Sequence, residues 1–310
     1  MIRGPLASKE YVPQFSGHET FPLRYGWLKK AFDAVDKDRT KTVFSSEDAI
    51  ARFGVGKNMV TSMRHWAFAC GVIDKDRLEP TSVGSMIFGE HGLDPYMEYP
   101  STLWLIHWFL AGRPDKTTCF WAFNYFQSGT FEREHLVRGL EDLVQKLGWA
   151  RASAATIKRD VECFVRLYVA KRAAKGSHED ALESPLAELG LIRSIGRQDG
   201  FRFVRGAKPT LGNGVFLYAL IDFWGHHSSA RTLSFEAIAH EVGSPGRVFL
   251  LDEDDLFRRL QDLEDVSGGT FQWSETAGMK QVIREGDLSL DDALMILKND
   301  YKLSANLEAA

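Results

Sequence analysis

The segment from 101 to 111 constrains the fold more than any other part of the sequence, because it is apolar on nearly every side of the helix it would form. Seven of its eleven residues are leucine, isoleucine, tryptophan or phenylalanine, and His107 is its only ionisable side chain. A helix that is apolar all round is buried, and this one is far too short to span a bilayer. It therefore belongs to the core, and the fold must bury it against other elements.

Length and composition are those of an ordinary soluble protein. The chain has 310 residues, 44% of them hydrophobic and 26% charged, which is enough for two or three domains with buried cores. The N-terminus has no long apolar run, and Cys70, Cys119 and Cys163 show no paired spacing. We therefore expect a cytoplasmic protein without membrane contact, whose cysteines are reduced core residues.

The segment 42–89 has the order of elements found in a winged helix-turn-helix. A short helix is predicted over 45–53, a Gly-Val-Gly turn ends it, and a second helix is predicted over Lys57–Ala69. Two extended pieces within 72–79 then flank a polar turn and are followed by a helix over 82–88. This order predicts a DNA-binding module with a small β hairpin.

Weaker versions of the same pattern follow along the chain, with helical spacing broken by Gly-rich turns and short extended pieces. The predicted fold class is therefore mainly α, built from winged helix-turn-helix-type modules with short β hairpins. We expect three domains. They are an N-terminal winged DNA-binding domain at 1–125, a helical middle domain with basic patches at 126–210, and an acidic helical domain with a candidate wing at 211–310.

Charge is unevenly distributed along the chain, whose formal net charge is −4. Residues 1–175 carry 25 Lys and Arg against 20 Asp and Glu, whereas residues 176–310 carry 13 against 22. A basic N-terminal part and an acidic C-terminal part fit a protein that presents one face to nucleic acid and another to a different partner.

Polar side chains on the second predicted helix are candidate DNA contacts. Five of them avoid its apolar face: Lys57, Asn58, Thr61, Arg64 and His65. An asparagine can pair with adenine, and an arginine with guanine or with a phosphate, although an ordinary solvated helix face would show the same pattern. Basic residues further along the chain complete the candidate set: Lys158, Arg159, Arg166, Arg202 and Arg205.

The adjacent pair His18 and Glu19 is the candidate catalytic site. It lies among aromatic residues without helical spacing, and a histidine beside a carboxylate can act as a base and a metal ligand in phosphodiester hydrolysis. The alternative is that Ser16 and Glu19 form a capping box while His18 is a hydrogen-bonded loop residue. The acids at 252–255 are interpreted as a helix cap and not as a metal cluster.

Three stretches carry a resemblance to a known family: the string 15–30, the segment 54–66 and the segment 93–108. They are similar to the SspB-type component of bacterial DNA phosphorothioation systems, and the resemblance covers essentially the whole chain. Such systems replace a non-bridging phosphate oxygen of DNA with sulfur. The resemblance supplies no catalytic motif, so His18 and Glu19 rest on their chemistry alone.

The resemblance implies a DNA nickase that prepares one strand for sulfur incorporation in antiphage defence. Its implied partners are DNA and three further Ssp proteins, the cysteine desulfurase SspA, the ATPase SspC and the sulfur-activating enzyme SspD. We expect such a nickase to depend on Mg²⁺ or Mn²⁺. The alternatives are a non-catalytic DNA-binding adaptor or transcription regulator, and a structural scaffold, which the basic clusters disfavour.

Overall fold

The structure, a computed structural model, describes residues 3–38, 42–150, 152–170, 184–196, 199–276 and 278–308. Contacts divide the chain into two compact units, each made of two separate segments. Unit 1 comprises Met1–Glu98 and Pro114–Val204, and unit 2 comprises Tyr99–Arg113 and Arg205–Ala310. The three domains expected from the sequence stay a prediction.

Most of the regular structure is helical. In chain order the α-helices are α1 (Trp27–Lys37), α2 (Ala49–Phe53), α3 (Lys57–Ala69), α4 (Ser82–Phe88), α5 (Pro100–Ala111), α6 (Thr117–Asn124), α7 (Arg133–Leu147), α8 (Ala154–Tyr168), α9 (Asn213–His227), α10 (Phe235–His240), α11 (Pro245–Val248), α12 (Glu253–Gln261), α13 (Leu263–Val266) and α14 (Leu290–Glu308). Short 3₁₀ helices lie at Pro5–Ala7 and Pro185–Leu189. Among the described residues, no helix is long and apolar enough to cross a bilayer.

Among the residues that the structure describes, six short strands form two antiparallel sheets. They are β1 (Thr130–Glu132), β2 (Ile192–Ile195), β3 (Gly200–Phe203), β4 (Thr232–Ser234), β5 (Phe271–Thr276) and β6 (Met279–Arg284). In unit 1 the strand order is β1-β3-β2, and in unit 2 it is β4-β6-β5. Each sheet therefore has the same connectivity: one strand, then helices, then a hairpin whose second strand lies in the middle. The mainly α prediction with short hairpins agrees with this arrangement.

The N-terminal part of unit 1 contains the helices expected from the sequence, and the expected hairpin is reduced to a single bridge. α3 and α4 have the predicted limits, and α2 begins four residues later than predicted because 42–48 form turns. Between α3 and α4, the described residues pair only through an isolated bridge between Ile73 and Pro80. α4 packs closely on this connection, since a β-carbon added to Gly84 would lie 2.2 Å from the Val72 carbonyl oxygen.

The apolar helix α5 is buried in unit 2, as its sequence predicts. Every residue from Ser101 to Ala111 is buried, and the polar atoms that this burial takes from water are hydrogen-bonded. Trp108 Nε1 donates to Asp222 Oδ2 at 2.8 Å, and Arg113 Nε donates to the same oxygen at 2.7 Å. Asp222 lies on α9. Its carboxylate therefore links α9 to Trp108 of α5 and to Arg113, which follows α5.

His107 is the buried titratable group of α5. Its Nε2 lies 2.8 Å from the Val248 carbonyl oxygen, and since a carbonyl only accepts, this nitrogen must carry the proton. Burial, opposed by that hydrogen bond, lowers the pKa of His107 from 6.5 to about 4. The neutral imidazole is therefore the form that the folded protein holds.

We predict that the folded protein loses stability as the pH falls from about 6.5 to about 4, because the unfolded chain takes up a proton at His107 before the folded chain does. The slope from this group is about 1.4 kcal/mol per pH unit. Urea unfolding followed by tryptophan fluorescence at several pH values measures it. His107→Gln should flatten the slope, whereas His91→Gln at an exposed position should not; equal slopes in both variants would contradict the prediction.

Candidate functional site

His18 is held by Asp160, a residue 142 positions away on α8. The His18 Nε2 and Asp160 Oδ1 atoms are 2.8 Å apart, and both residues are buried. The same oxygen accepts the backbone N–H of Ser16 at 2.8 Å. The carboxylate therefore ties the N-terminal loop to α8 through two donors that would otherwise be buried without a partner.

The hydrogen bonds of His18 fix its tautomer. Its Nδ1 accepts the backbone N–H of Thr20 at 3.0 Å, so this nitrogen carries no proton. Nε2 must then carry the proton and donate it to Asp160. Because both ring nitrogens are engaged, His18 acts in this geometry as a positioning group.

The loop around His18 has a strained backbone and is not the start of a helix. Ser16, Glu19 and Thr20 have φ values of 65°, 45° and 66°, in the left-handed region that non-glycine residues seldom occupy. The first α-helix begins only at Trp27, so the capping box considered for Ser16 and Glu19 is not formed. Glu19 is exposed. Backbone strain of this kind is often found at functional sites.

A cleft opens beside the His18–Asp160 pair within unit 1. It is narrow and has room for about one water molecule. Its lining combines the N-terminal loop with residues of α3, α6 and α8: Gln14, Ser16, His18, His65, Trp66, Lys116, Thr118, Cys119, Asp160, Cys163, Phe164 and Leu167. The cysteines of this lining are free and buried, as is Cys70, which agrees with the expectation of reduced core residues.

Two titratable groups give the cleft its electrostatic character. Desolvation, and then the nearby charge of Lys116, lowers the pKa of His65 well below 6.5, so His65 is neutral. Desolvation also lowers the pKa of the Lys116 amine, while nearby acidic groups, Asp160 among them, oppose this change. His65 packs edge-on against the rings of His18 and Trp66.

The sequence predicts His18 as a site residue but does not indicate the residues that contact it. The structure brings His18 together with Asp160, Lys116 and His65, and the pairing with Glu19 as a catalytic site stays a prediction. A signal for Asp160 was present, because it lies on the inward face of α8 with Ile157 and Phe164. A carboxylate on a buried helix face needs a partner.

Four of the five candidate DNA contacts on α3 are exposed: Lys57, Asn58, Thr61 and Arg64. The Arg64 guanidinium lies over the Phe68 ring, 5.2 Å from its centroid. His65, the fifth, is half-buried and lines the cleft instead. The other four side chains therefore form an exposed polar face of α3, whereas His65 belongs to the cleft.

The later basic candidates differ in their surroundings. Lys158 and Arg159 are exposed on α8, and Arg202 is exposed on β3. Arg166 instead donates to the Thr20 carbonyl at 3.0 Å. In unit 2, Arg205 donates to the Leu251 carbonyl at 2.7 Å. Lys158, Arg159 and Arg202 are thus the members of this set most available to a partner.

Arg202 has a basic neighbour that the candidate set did not include. It pairs directly with Arg193 of β2 in the hairpin register, and Arg193 is also exposed. Directly opposed side chains on neighbouring strands have β-carbons about 4.5–5.5 Å apart, and like charges in this position are destabilising. The repulsion between these two side chains therefore lowers the stability of the hairpin.

The residues of the cleft do not by themselves form a site for the expected divalent cation. Within the described residues, no group of three or more His, Cys, Asp or Glu side chains is arranged to hold a metal ion. The cleft offers one carboxylate, Asp160, which already accepts two hydrogen bonds and lies near the Lys116 amine. Mg²⁺ is usually held by one or two carboxylates together with water and substrate phosphates, so a magnesium ion here would need ligands from outside these residues.

The acidic residues at 252–255 have structural roles. The Asp252 side chain accepts the backbone N–H of Asp255 and caps α12. Asp255 in turn pairs with Arg259 at 3.0 Å and with Arg258 at 3.1 Å. The run at 252–255 is therefore a helix cap with ion pairs, as predicted.

We predict that His18 and Asp160 are energetically coupled. A double-mutant cycle of His18→Ala and Asp160→Ala, measured by chemical unfolding, should give a coupling free energy of about 1–3 kcal/mol because each change leaves the other group unpaired. Pairing His18→Ala with Glu162→Ala, an exposed acid on α8, is the control and should be additive. Additive effects in the first cycle would rule out the buried pair.

Comparisons with known proteins agree over nearly the whole chain. Residues 15–301 match a protein family of unknown function, DUF4007, while no protein of curated function matches. A magnesium ion-bound SspB crystal structure is 29% identical, with a TM-score of 0.84 over 97% of this chain and 91% of that chain. An SspB crystal structure is 29% identical, with a TM-score of 0.78 over 96% and 90%. This chain therefore belongs to the DUF4007 family and is of the SspB type.

Proposed function

We propose that this chain is a DNA-binding protein of an Ssp-type phosphorothioation defence system, and that it nicks one DNA strand so that sulfur can be incorporated. The similarity to SspB supports the first part. The proposed partners are DNA and the other Ssp proteins SspA, SspC and SspD, and the proposed location is the cytoplasm. Nicking is the activity that the SspB type implies.

The pair of arginines on the β2–β3 hairpin is the observation that carries DNA binding. Arg193 and Arg202 face each other across two strands, and both are exposed. Like charges held together lose their mutual repulsion when a phosphate oxygen lies between them. Arginine is also the side chain whose planar fork best matches a phosphate. A DNA backbone would supply such phosphates at regular spacing.

The connectivity of both units supports a winged-helix interpretation. In unit 1, β1 is followed by α7 and α8 and then by the β2–β3 hairpin. In a winged module, the helix before the hairpin enters the major groove and the hairpin contacts the backbone. In unit 1 that helix is α8, which carries the exposed residues Lys158 and Arg159. The exposed face of α3 is a second proposed DNA contact.

We predict that Arg193→Gln and Arg202→Gln each weaken DNA binding and reduce the dependence of log Kd on log salt by about one unit. Fluorescence anisotropy with a labelled duplex, over a range of salt concentrations, measures both effects. Arg231→Gln is the matched control, because this exposed arginine already pairs with Glu285. An unchanged salt slope in both hairpin variants would contradict the proposed interface.

We predict that the purified protein converts supercoiled plasmid into open circles with Mg²⁺ or Mn²⁺ but not with a chelator. The cation is proposed because a similar solved structure holds magnesium. If His18 and Glu19 are the acid-base pair, the double variant His18→Ala, Glu19→Ala should nick about 100-fold more slowly or worse. A nicking rate unchanged in this variant would remove the pair from the mechanism.

A non-catalytic adaptor or regulator is the second candidate, and one observation favours it. Both ring nitrogens of His18 are already hydrogen-bonded, so His18 has no free nitrogen with which to take a proton from water. Such a protein would bind DNA and recruit partners through its acidic C-terminal part. DNA binding without nicking, at any metal tested, would decide for this candidate.

A further inference from the structure

Three aromatic side chains of unit 1, Tyr11, Phe15 and Trp149, form a cluster that is only half-buried. The ring centroids of Tyr11 and Trp149 are 5.3 Å apart, and those of Phe15 and Trp149 are 6.4 Å apart. Val12, next to Tyr11 in the chain, is 66% exposed. Six of the eight tryptophans of the chain are buried, whereas Trp149 is not. This aromatic cluster therefore leaves ring surface in contact with solvent.

Hydrogen bonds hold the N-terminal part of the aromatic cluster in place. The Tyr11 hydroxyl donates to the Pro114 carbonyl oxygen at 2.9 Å and lies 2.7 Å from Thr117 Oγ1. Further along the segment, the backbone N–H of Ser16 donates to Asp160 Oδ1. The segment that carries two of the rings is thus fixed at both ends. A ligand that packs on rings held in this way loses little free energy to ordering them.

Trp149 lies in the turn that joins α7 to α8. Gly148 ends α7 in the left-handed region, with a φ value of 68°, and the backbone N–H of Trp149 donates to the Val144 carbonyl oxygen at 3.0 Å. These contacts fix the turn. In the winged module proposed for unit 1, α8 is the helix that enters the major groove. The aromatic cluster therefore lies beside the start of the helix that would contact DNA.

Basic side chains of α8 lie close to the aromatic cluster. Arg159 is exposed and precedes Asp160, whose carboxylate holds Ser16, the residue after Phe15. Arg166 lies two turns further along the same side of α8 and donates to a carbonyl of the N-terminal loop. Positive charges beside aromatic rings are the combination with which proteins bind single-stranded nucleic acid, because the charges attract the phosphates and the rings stack with the bases.

We propose that the aromatic cluster stacks with an unpaired DNA base, so that the substrate is DNA with a single-stranded or opened segment. The inference rests on the proposed DNA binding. Bases within a duplex stack on one another, and only an unpaired or extruded base offers a free face to a protein ring. A base is also uncharged, which suits the surroundings of Tyr11, where Asp115 and Lys116 are neighbours in the chain.

Fluorescence anisotropy with a labelled duplex, the same duplex with an unpaired central bubble, and a single strand tests the cluster. The wild type should prefer the bubble and the single strand. Trp149→Leu keeps an apolar side chain without a ring, and should weaken binding to these two by about 5-fold or more while duplex binding is unchanged. Trp149→Phe keeps a ring and should retain most of the binding. Equal effects on all three DNAs, or equal losses in the two variants, overturn the inference.

Tryptophan fluorescence reports on the same contact directly. Trp149 and Trp273 are the two half-buried tryptophans, and Trp273 lies in unit 2 on β5. Adding an unlabelled single-stranded oligonucleotide should quench the fluorescence of the wild type, because a stacked base lies against the indole ring. Trp149→Phe should abolish the quenching, and the matched control Trp273→Phe should preserve it. Quenching that persists in Trp149→Phe would remove the indole from the site.

Salt dependence separates stacking from phosphate contacts. Trp149→Leu should leave the slope of log Kd against log salt unchanged, because stacking releases no counterions, whereas Arg202→Gln should reduce it. If the protein binds no DNA of any form, the proposed function fails and the inference with it. If it binds DNA and the Trp149 variants behave as the wild type, the inference alone fails. Protection of Trp149 from acrylamide by rising protein concentration, without DNA, would assign the cluster to a second copy of this chain instead.

Discussion

One carboxylate oxygen, Oδ1 of Asp160, holds the candidate site together. It accepts hydrogen bonds from Nε2 of His18 and from the backbone N–H of Ser16, and so joins the N-terminal loop to α8. Buried networks of this kind stabilise one arrangement when every member is paired and become costly when one member is removed. The position of the loop, the orientation of the His18 ring and the wall on which His65 rests all depend on this contact.

Elements that depend on local periodicity were predictable from the sequence. The limits of α3, α4 and α7 follow from the spacing of apolar residues, and the cap at Asp252 follows from acids before a helical run. The burial of α5 was predictable for the same reason. The strands of hairpins were less predictable. Between α3 and α4, the expected strands are reduced to a single bridge.

The candidate site was only partly predictable, because its contacts join residues far apart in the chain. His18 stood out by composition, but its partner lies 142 positions away. Neither spacing nor charge along the chain identifies such a pair. The pairing of Arg193 with Arg202 could not be predicted for a similar reason, because strand register decides which side chains oppose each other.

Unit 2 is discontinuous, and this has a consequence for how the protein is made. The segment Tyr99–Arg113, which includes the all-apolar helix α5, leaves the ribosome before any of its partners at Arg205–Ala310. Domains tend to fold as units during synthesis, at roughly 5–20 residues per second. The most apolar helix of the nascent chain is therefore synthesised several seconds before the segment that buries it. This delay makes it a natural target for chaperones and the segment most prone to early aggregation.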